Sequence, residues 1–318
     1  MELMLGLLVQ GVQMVLVLAL APALMGLVRK VKARLTRRRG ASIWQPYRDI
    51  LRLMRKDVVL AENASWLFRA APYLIFAATW VAAALVPTFA TGLMFNWTAD
   101  LVAIVALLGS ARFFLALVGM DVGTAFGGIG SSREMMIASM AEPAMLLAAF
   151  SVALVAGSTQ LSTVAHYMAT EAVGLRVSLG LALVALVIVA LAENARIPVD
   201  NPTTHLELTM VHEAMVLEYS GRHLAMIEIA AALKLLLYIS LIICIFVPWG
   251  IADGTGNLLA YPLAFGLWLA KLALGGAALG AFEVSIAKMR VFRVPDFLGA
   301  ALMLGLLGML LLFVSRSL

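Results

Sequence analysis

Charge, cysteine and histidine are scarce in this chain. Only 13% of its 318 residues are charged, against about a quarter in an ordinary soluble domain. Disorder and a typical soluble enzyme are excluded. A single cysteine, Cys244, lies inside an apolar run. It cannot close an internal disulfide, hold a cysteine-ligated cluster or complete a thiolate zinc site. The four histidines are spread over residues 166–223. Any redox chemistry therefore belongs to other subunits, and the chain itself is expected to hold no metal or cofactor. What is abundant is hydrocarbon: 63% of residues are hydrophobic and the mean hydropathy is +1.01. That composition defines an all-α polytopic membrane protein forming one integral domain over residues 1–318.

A bilayer core takes about 20 apolar residues as a helix. Eight runs satisfy this, at 3–28, 70–93, 101–120, 135–157, 174–192, 224–249, 260–282 and 297–315. Trp44, Trp66, Trp97 and Trp249 fall outside these runs or near their ends, where interface aromatics belong. The first run is preceded by Met-Glu and followed by its basic residues, the pattern of a retained helix rather than a cleaved leader. Twelve Lys or Arg lie between Arg29 and Arg69. Arg133, Arg196, Arg222, Lys288, Arg290 and Arg293 fall in loops on the same side, and only Arg176 and Arg316 on the other. The positive-inside rule puts both termini outside and four polar loops, 29–69, 121–134, 193–223 and 283–296, in the cytoplasm. The basic residues also suit lipid head groups, so membrane lipid is an expected contact.

The cytoplasmic loops are too patterned to be plain connectors. Residues 46–56 carry Tyr47, Ile50, Leu51, Leu53 and Met54 among basic residues, which predicts a short helix at the membrane surface. The loop 121–134 holds four glycines and reads as a flexible segment able to wrap a partner; no Lys follows the glycines, so it is no phosphate loop. In the third loop, Pro202 suits a helix start, 204–217 an amphipathic helix and Gly221 its end. His212-Glu213-Ala214-Met215-Val216 lacks the second histidine of a zinc-protease motif. His205 and His212 are read as interfacial polar residues instead.

Ionisable residues within spans are costly and functional by default. Arg112 and Glu142 lie at matching depths on consecutive spans, so they are a candidate intramembrane ion pair. Lys234 and Lys271 lie near the middle of consecutive spans, and Glu228 about one turn into its span. Two such lysines repel unless a carboxylate intervenes or one gives up its proton. Asp121, Glu193 and Glu283 close helices at the cytoplasmic side, against the negative end of the helix dipole. Each is expected to be neutral or to have a basic neighbour.

Several of these segments resemble one family. Gly130, Arg133 and Glu142 resemble the G-x-x-R…E pattern of the respiratory complex I membrane subunit beside the quinone chamber. Trp44-Gln45-Pro46-Tyr47-Arg48-Asp49-Ile50-Leu51-Arg52-Leu53 is similar to its L-Q-P-x-A-D-x-x-K-L segment. Ile197-Pro198-Val199-Asp200 resembles P-F-D, Glu207-Leu208 falls where E-L falls, and Glu218-Tyr219-Ser220-Gly221 reproduces E-Y-S-G. The compact Arg39-Gly40-Ala41-Ser42-Ile43 and the Thr203 and His205 substitutions resemble the hydrogenase branch: formate hydrogenlyase, hydrogenase-4 and group 4 nickel–iron hydrogenases. The resemblance implies a membrane anchor in the bacterial or archaeal cytoplasmic membrane. Its partners would be a nickel–iron hydrogenase-like large subunit, iron–sulfur small subunits and antiporter-like membrane subunits, with no nucleic acid involved. A NiFe centre and iron–sulfur clusters would sit in those partners. Candidates for a proton path are Glu142, Glu193, Asp200, Glu207, Glu213, Glu218, Glu228, Lys234 and Lys271. Candidates for docking the peripheral arm are Arg39, Gln45, Arg48, Asp49, Arg133, Arg196 and Tyr219. A quinone-interacting complex I-like subunit and a passive scaffold without an ion path remain open alternatives.

Overall fold

A computed structural model describes residues 2–92, 97–170, 176–200, 210–252, 260–287 and 289–317. All regular structure among the described residues is helical. In chain order the helices are α1 (Glu2–Leu35), α2 (Gln45–Met54), α3 (Trp66–Leu85), α4 (Leu101–Asp121), α5 (Ala125–Ala156), α6 (Leu161–Thr170), α7 (Val177–Glu193), α8 (His212–Val216), α9 (Gly221–Phe246), α10 (Ala260–Ser285) and α11 (Val294–Ser317). Seven of the eight expected spans, α1, α3, α4, α5, α9, α10 and α11, are long and apolar enough to cross a membrane. The expected span 174–192 is the shorter apolar helix α7, Val177–Glu193, of 17 residues.

The bundle has two distinct ends. At the basic end Ser65 N–H donates to the Asp121 carboxylate at 3.0 Å, joining the start of α3 to the end of α4. Met289 N–H reaches the Pro198 carbonyl there at 3.0 Å. At the opposite end the Gln13 amide donates to the carbonyls of Ala84 and Val86, both at 3.0 Å, satisfying the last turn of α3 from within α1. Burial is densest on α9, where Leu233, Leu236, Leu237 and Tyr238 are fully enclosed.

Two expected loops are different objects. The glycine-rich segment 121–134 is mostly helix, because α5 begins at Ala125, capped by the Thr124 hydroxyl accepting from Gly127 N–H at 3.2 Å. Gly123, at φ +71, turns the chain between α4 and α5, while Gly127 and Gly130 serve close packing. A Cβ at Gly130 would lie 2.9 Å from the Val211 carbonyl oxygen and 3.0 Å from Ala214, so the segment wraps its own chain. The second object is the segment after α7. Its described parts, residues 194–200 and 210–211, turn inward, with Val199, Asp200 and Val211 nearly inaccessible. Ala195, at φ +48, turns the chain out of α7, and Arg196 N–H closes the helix end on the Leu191 carbonyl at 2.9 Å. Of the expected helix 204–217, residues 212–216 are helical, while His205 and Glu207 lie outside the described residues. Gly221 begins α9 instead of ending a helix.

The surface helix expected at 46–56 is α2, Gln45–Met54. It carries exposed Trp44, Leu51 and Met54 at its edge and exposed Arg48 and Arg52.

The Glu218-Tyr219-Ser220-Gly221 motif is a structural junction. Pro72 inside α3 has no N–H, so the Phe68 carbonyl four residues earlier lacks its helical donor. The Tyr219 hydroxyl donates to that carbonyl at 3.0 Å, and its ring stacks on Phe68 with centroids 4.0 Å apart. The Ser220 hydroxyl accepts from Val59 N–H at 2.8 Å and donates to the Val59 carbonyl at 2.9 Å. Gly221 has φ +54, and a Cβ there would lie 2.6 Å from the Asp57 carbonyl oxygen. Tyr219→Phe keeps the stacking and orphans the carbonyl. It should destabilise the protein by about 1–3 kcal/mol, read as a lower melting temperature in mild detergent.

Candidate functional site

Arg112 sits on α4, nine residues before its end at Asp121, roughly 14 Å along the axis. Its side chain is 2% exposed. Nε lies 3.1 Å from a Glu134 oxygen, Nη2 is in direct contact with Glu193, and Nη1 is 4.0 Å from Glu142. The Arg112–Glu142 pair expected from matched depths is therefore present as the loosest of three. Glu193 also pairs with the Lys234 ammonium at 3.2 Å. One buried guanidinium thus joins α4, α5 and α7, and Lys234 ties α9 to the same group.

A second cluster forms around Glu283 at the end of α10. Lys32 from α1 is 2.5 Å from one carboxylate oxygen and Arg196 is 3.5 Å from the other. Glu193, Glu283 and Asp121 all find a partner for a carboxylate at a helix C-terminus. Two take basic side chains, and Asp121 takes the N–H at the start of α3.

Between the two clusters lies a cavity of about 450 Å³. Glu134, Glu193, Asp200, Glu213 and Glu228 supply its acids; Arg29, Lys32, Arg112, Arg196 and Lys234 supply its bases. His212 also faces it, so it is a chamber residue and not the surface histidine expected. Burial, reinforced by Lys234, pushes the His212 imidazole down to about 4, with Asp200 opposing. Its ordinary value is near 6.5, so between pH 6.5 and 4 the unfolded chain takes up a proton that the folded one refuses. Stability should fall as pH drops through that window. His212→Asn should flatten this part of a melting-temperature profile against pH.

The expected site residues divide by place. Glu193, Asp200, Glu213, Glu228 and Lys234 converge on the chamber, whereas Glu142 is not part of its lining and has its side chain 42% exposed. Glu218 is exposed, away from the chamber. Lys271 is not near Lys234. Its ammonium bonds the carbonyls of Val247, at 2.7 Å, and Trp249, capping the far end of α9. Separation and Glu193 together remove the expected repulsion between the two lysines. Among the docking candidates, Arg39 and Arg48 are exposed at the basic end. Gln45 donates to Asp49 within α2 at 3.0 Å. Arg133 reaches the Met210 carbonyl at 2.9 Å, Arg196 holds Glu283, and Tyr219 is buried at 4% exposure. The last three bind their own chain. Sequence reasoning missed Glu134, Arg29 and Lys32. Glu134 stands two four-residue steps before Glu142, a signal visible once the glycine-rich segment is read as helix.

Apolar helices around a charge-lined chamber define a polytopic membrane protein with a polar interior. The family model for NADH dehydrogenase matches residues 8–314, and the chain belongs to that family, in its hydrogenase branch. It is 32% identical over 286 residues to formate hydrogenlyase subunit 4 of Escherichia coli (strain K12), covering 89% of this chain and 91% of that one. It is 36% identical over 243 residues to hydrogenase-4 component C of the same organism, covering 76% and 75%. A solved structure, that of the membrane-bound sulfane sulfur reductase, an archaeal respiratory membrane complex, shares the fold. The TM-score is 0.82 at 20% identity, covering 96% of this chain and 98% of that one. Membership in this group makes the chain a membrane subunit with partner subunits.

Proposed function

We propose that this chain is the membrane-anchoring subunit of a nickel–iron hydrogenase-type complex of the formate hydrogenlyase or hydrogenase-4 kind, coupling its electron-transfer arm to proton or sodium movement. In this reading eight helices cross the cytoplasmic membrane with α7 among them, and both termini face outward. The basic end faces the cytoplasm and receives the large subunit and the iron–sulfur subunits. These partners carry the metal centres, and antiporter-like membrane subunits lie alongside.

The observation that carries the reading is the Arg112 cluster. Glu134, Glu142 and Glu193 gather around Arg112 with Lys234 behind them, three carboxylates against two cations. The formal excess is one negative charge, which one proton or monovalent cation balances. The Glu283 cluster has the opposite excess, two cations against one carboxylate. A change of position or redox state in an arm docked over the chamber would act on the balance between them. A passive anchor has no use for so much buried charge, since apolar residues of similar size hold helices together at least as well.

Glu142→Gln tests the reading, because Glu142 is the loosest of the three carboxylates and the least needed for packing. The expected result is an assembled complex, recovered with nickel and iron–sulfur subunits on a tagged copy, that moves fewer ions per electron in proteoliposomes. Unchanged ion movement and turnover would favour the scaffold alternative.

A further inference from the structure

Beside the chamber is a smaller slot of about 140 Å³, enclosed by α1, α2 and α9. Arg29 and Glu228 line both cavities, so the slot is a side approach to the chamber. Met25, Ile50 and Leu53 supply apolar wall. Its three charged residues are differently placed. Asp49 is occupied by the Gln45 amide at 3.0 Å and the Arg52 guanidinium at 3.2 Å. Arg29 and Glu228 stand on different helices, and among the described residues neither lies within 4.0 Å of an opposite charge. Arg29 and Glu228 therefore share a slot without closing an ion pair within 4.0 Å, and its roof, α2, has the composition of an interfacial helix.

We propose that this slot binds the head group of a zwitterionic phospholipid with a primary amine. The phosphate takes the Arg29 guanidinium, the ammonium takes the Glu228 carboxylate, and the acyl chains stay in the bilayer on which α2 rests. A guanidinium matches phosphate oxygens in pairs. A primary ammonium donates hydrogen bonds to a carboxylate, which a quaternary choline cannot do. An anionic head group brings the same phosphate to Arg29 but no ammonium to Glu228, so it leaves the carboxylate without a partner. The bound lipid would stop the side approach to the chamber, a role independent of whether ions move through the Arg112 cluster.

The test is native mass spectrometry of the tagged complex in mild detergent, stripped of lipid and then offered equal amounts of phosphatidylethanolamine, phosphatidylcholine and phosphatidylglycerol. Phosphatidylethanolamine should be retained at one per complex, about fivefold or more over the other two. Arg29→Gln should lower retention about tenfold. Glu228→Gln should erase the preference between phosphatidylethanolamine and phosphatidylcholine. Ile50→Trp fills the slot without removing a charge and should expel the lipid, which keeps the test sound if a charge variant fails to assemble. Equal retention of the three lipids, retention of an isoprenoid quinone in their place, or an Ile50→Trp complex that still holds the lipid would overturn the proposal.

Discussion

Arg112→Met should lower the melting temperature of the purified protein by about 10 °C or more. The guanidinium is 2% exposed and, among the described residues, is the only cation within 4.0 Å of all three of Glu134, Glu142 and Glu193. Removing one partner from a buried ion pair costs about 3–5 kcal/mol. For a chain of this size each kcal/mol moves the midpoint by roughly 2–4 °C. Here the loss leaves two carboxylates of α5 and one of α7 facing one another, with Lys234 the remaining cation paired to them among the described residues. The double variant Arg112→Met with Glu193→Gln should recover part of the loss, since it removes one of the orphaned charges. Arg112→Lys should recover less than a cation of equal charge suggests, because an ammonium cannot reach several carboxylates in different directions. Thermal unfolding in mild detergent reads all three variants. A single variant melting within about 2 °C of the wild type would show that the carboxylates are neutralised by some other means.

Glu193→Gln should leave the complex assembled and its electron transfer to a soluble dye within about twofold. Ion movement per electron should fall about tenfold or more, on the scale of losing a proton-transferring group. Glu193 is where the two cations meet: one oxygen contacts Arg112 and the other lies 3.2 Å from Lys234. Glutamine keeps the shape and one acceptor, so packing survives, but it can neither carry the charge nor take up a proton. Proteoliposomes with a pH-sensitive or sodium-sensitive dye give the ratio. An unchanged ratio would place the conduit elsewhere and leave Glu193 as the tie between α7 and α9.

Seven spans were legible because each is a long apolar run, and α2 because Pro46 begins a short segment of mixed apolar and basic residues. The depth of Arg112 and Glu142 along their helices was enough to pair them. Glu134 was not legible, because the glycines at 123, 127, 128 and 130 read as a breaker. Two of them, Gly127 and Gly130, are instead the places where α5 touches α4 and the start of α8, and that packing outweighs their poor propensity. The inward path of the segment after α7 was hidden for a different reason. Its polar residues look like a loop in water, and only contacts such as Met289 to Pro198 and Arg133 to Met210 pull it inside. Lys271 stands mid-helix as expected, but the partners of its ammonium were not legible, because residue counting gives depth along a helix and not the direction in which a long side chain reaches.

The bond from Tyr219 to Phe68 has a consequence for how the protein is made. The two residues are 151 positions apart. When α3 enters the bilayer, proline has already removed the donor for one of its carbonyls, and the hydroxyl that replaces it has not been synthesised. Phe68 is the third residue of α3, at its basic end, so until Tyr219 arrives its carbonyl has only water or head groups to pair with, and α3 reaches its final state only after the ribosome has passed Tyr219 and α9 has docked. Early insertion of this helix is provisional, and a downstream residue completes it. A nascent chain stopped before residue 219 should thus hold α3 less firmly than one stopped after α9, whatever the apolar content of α3 itself.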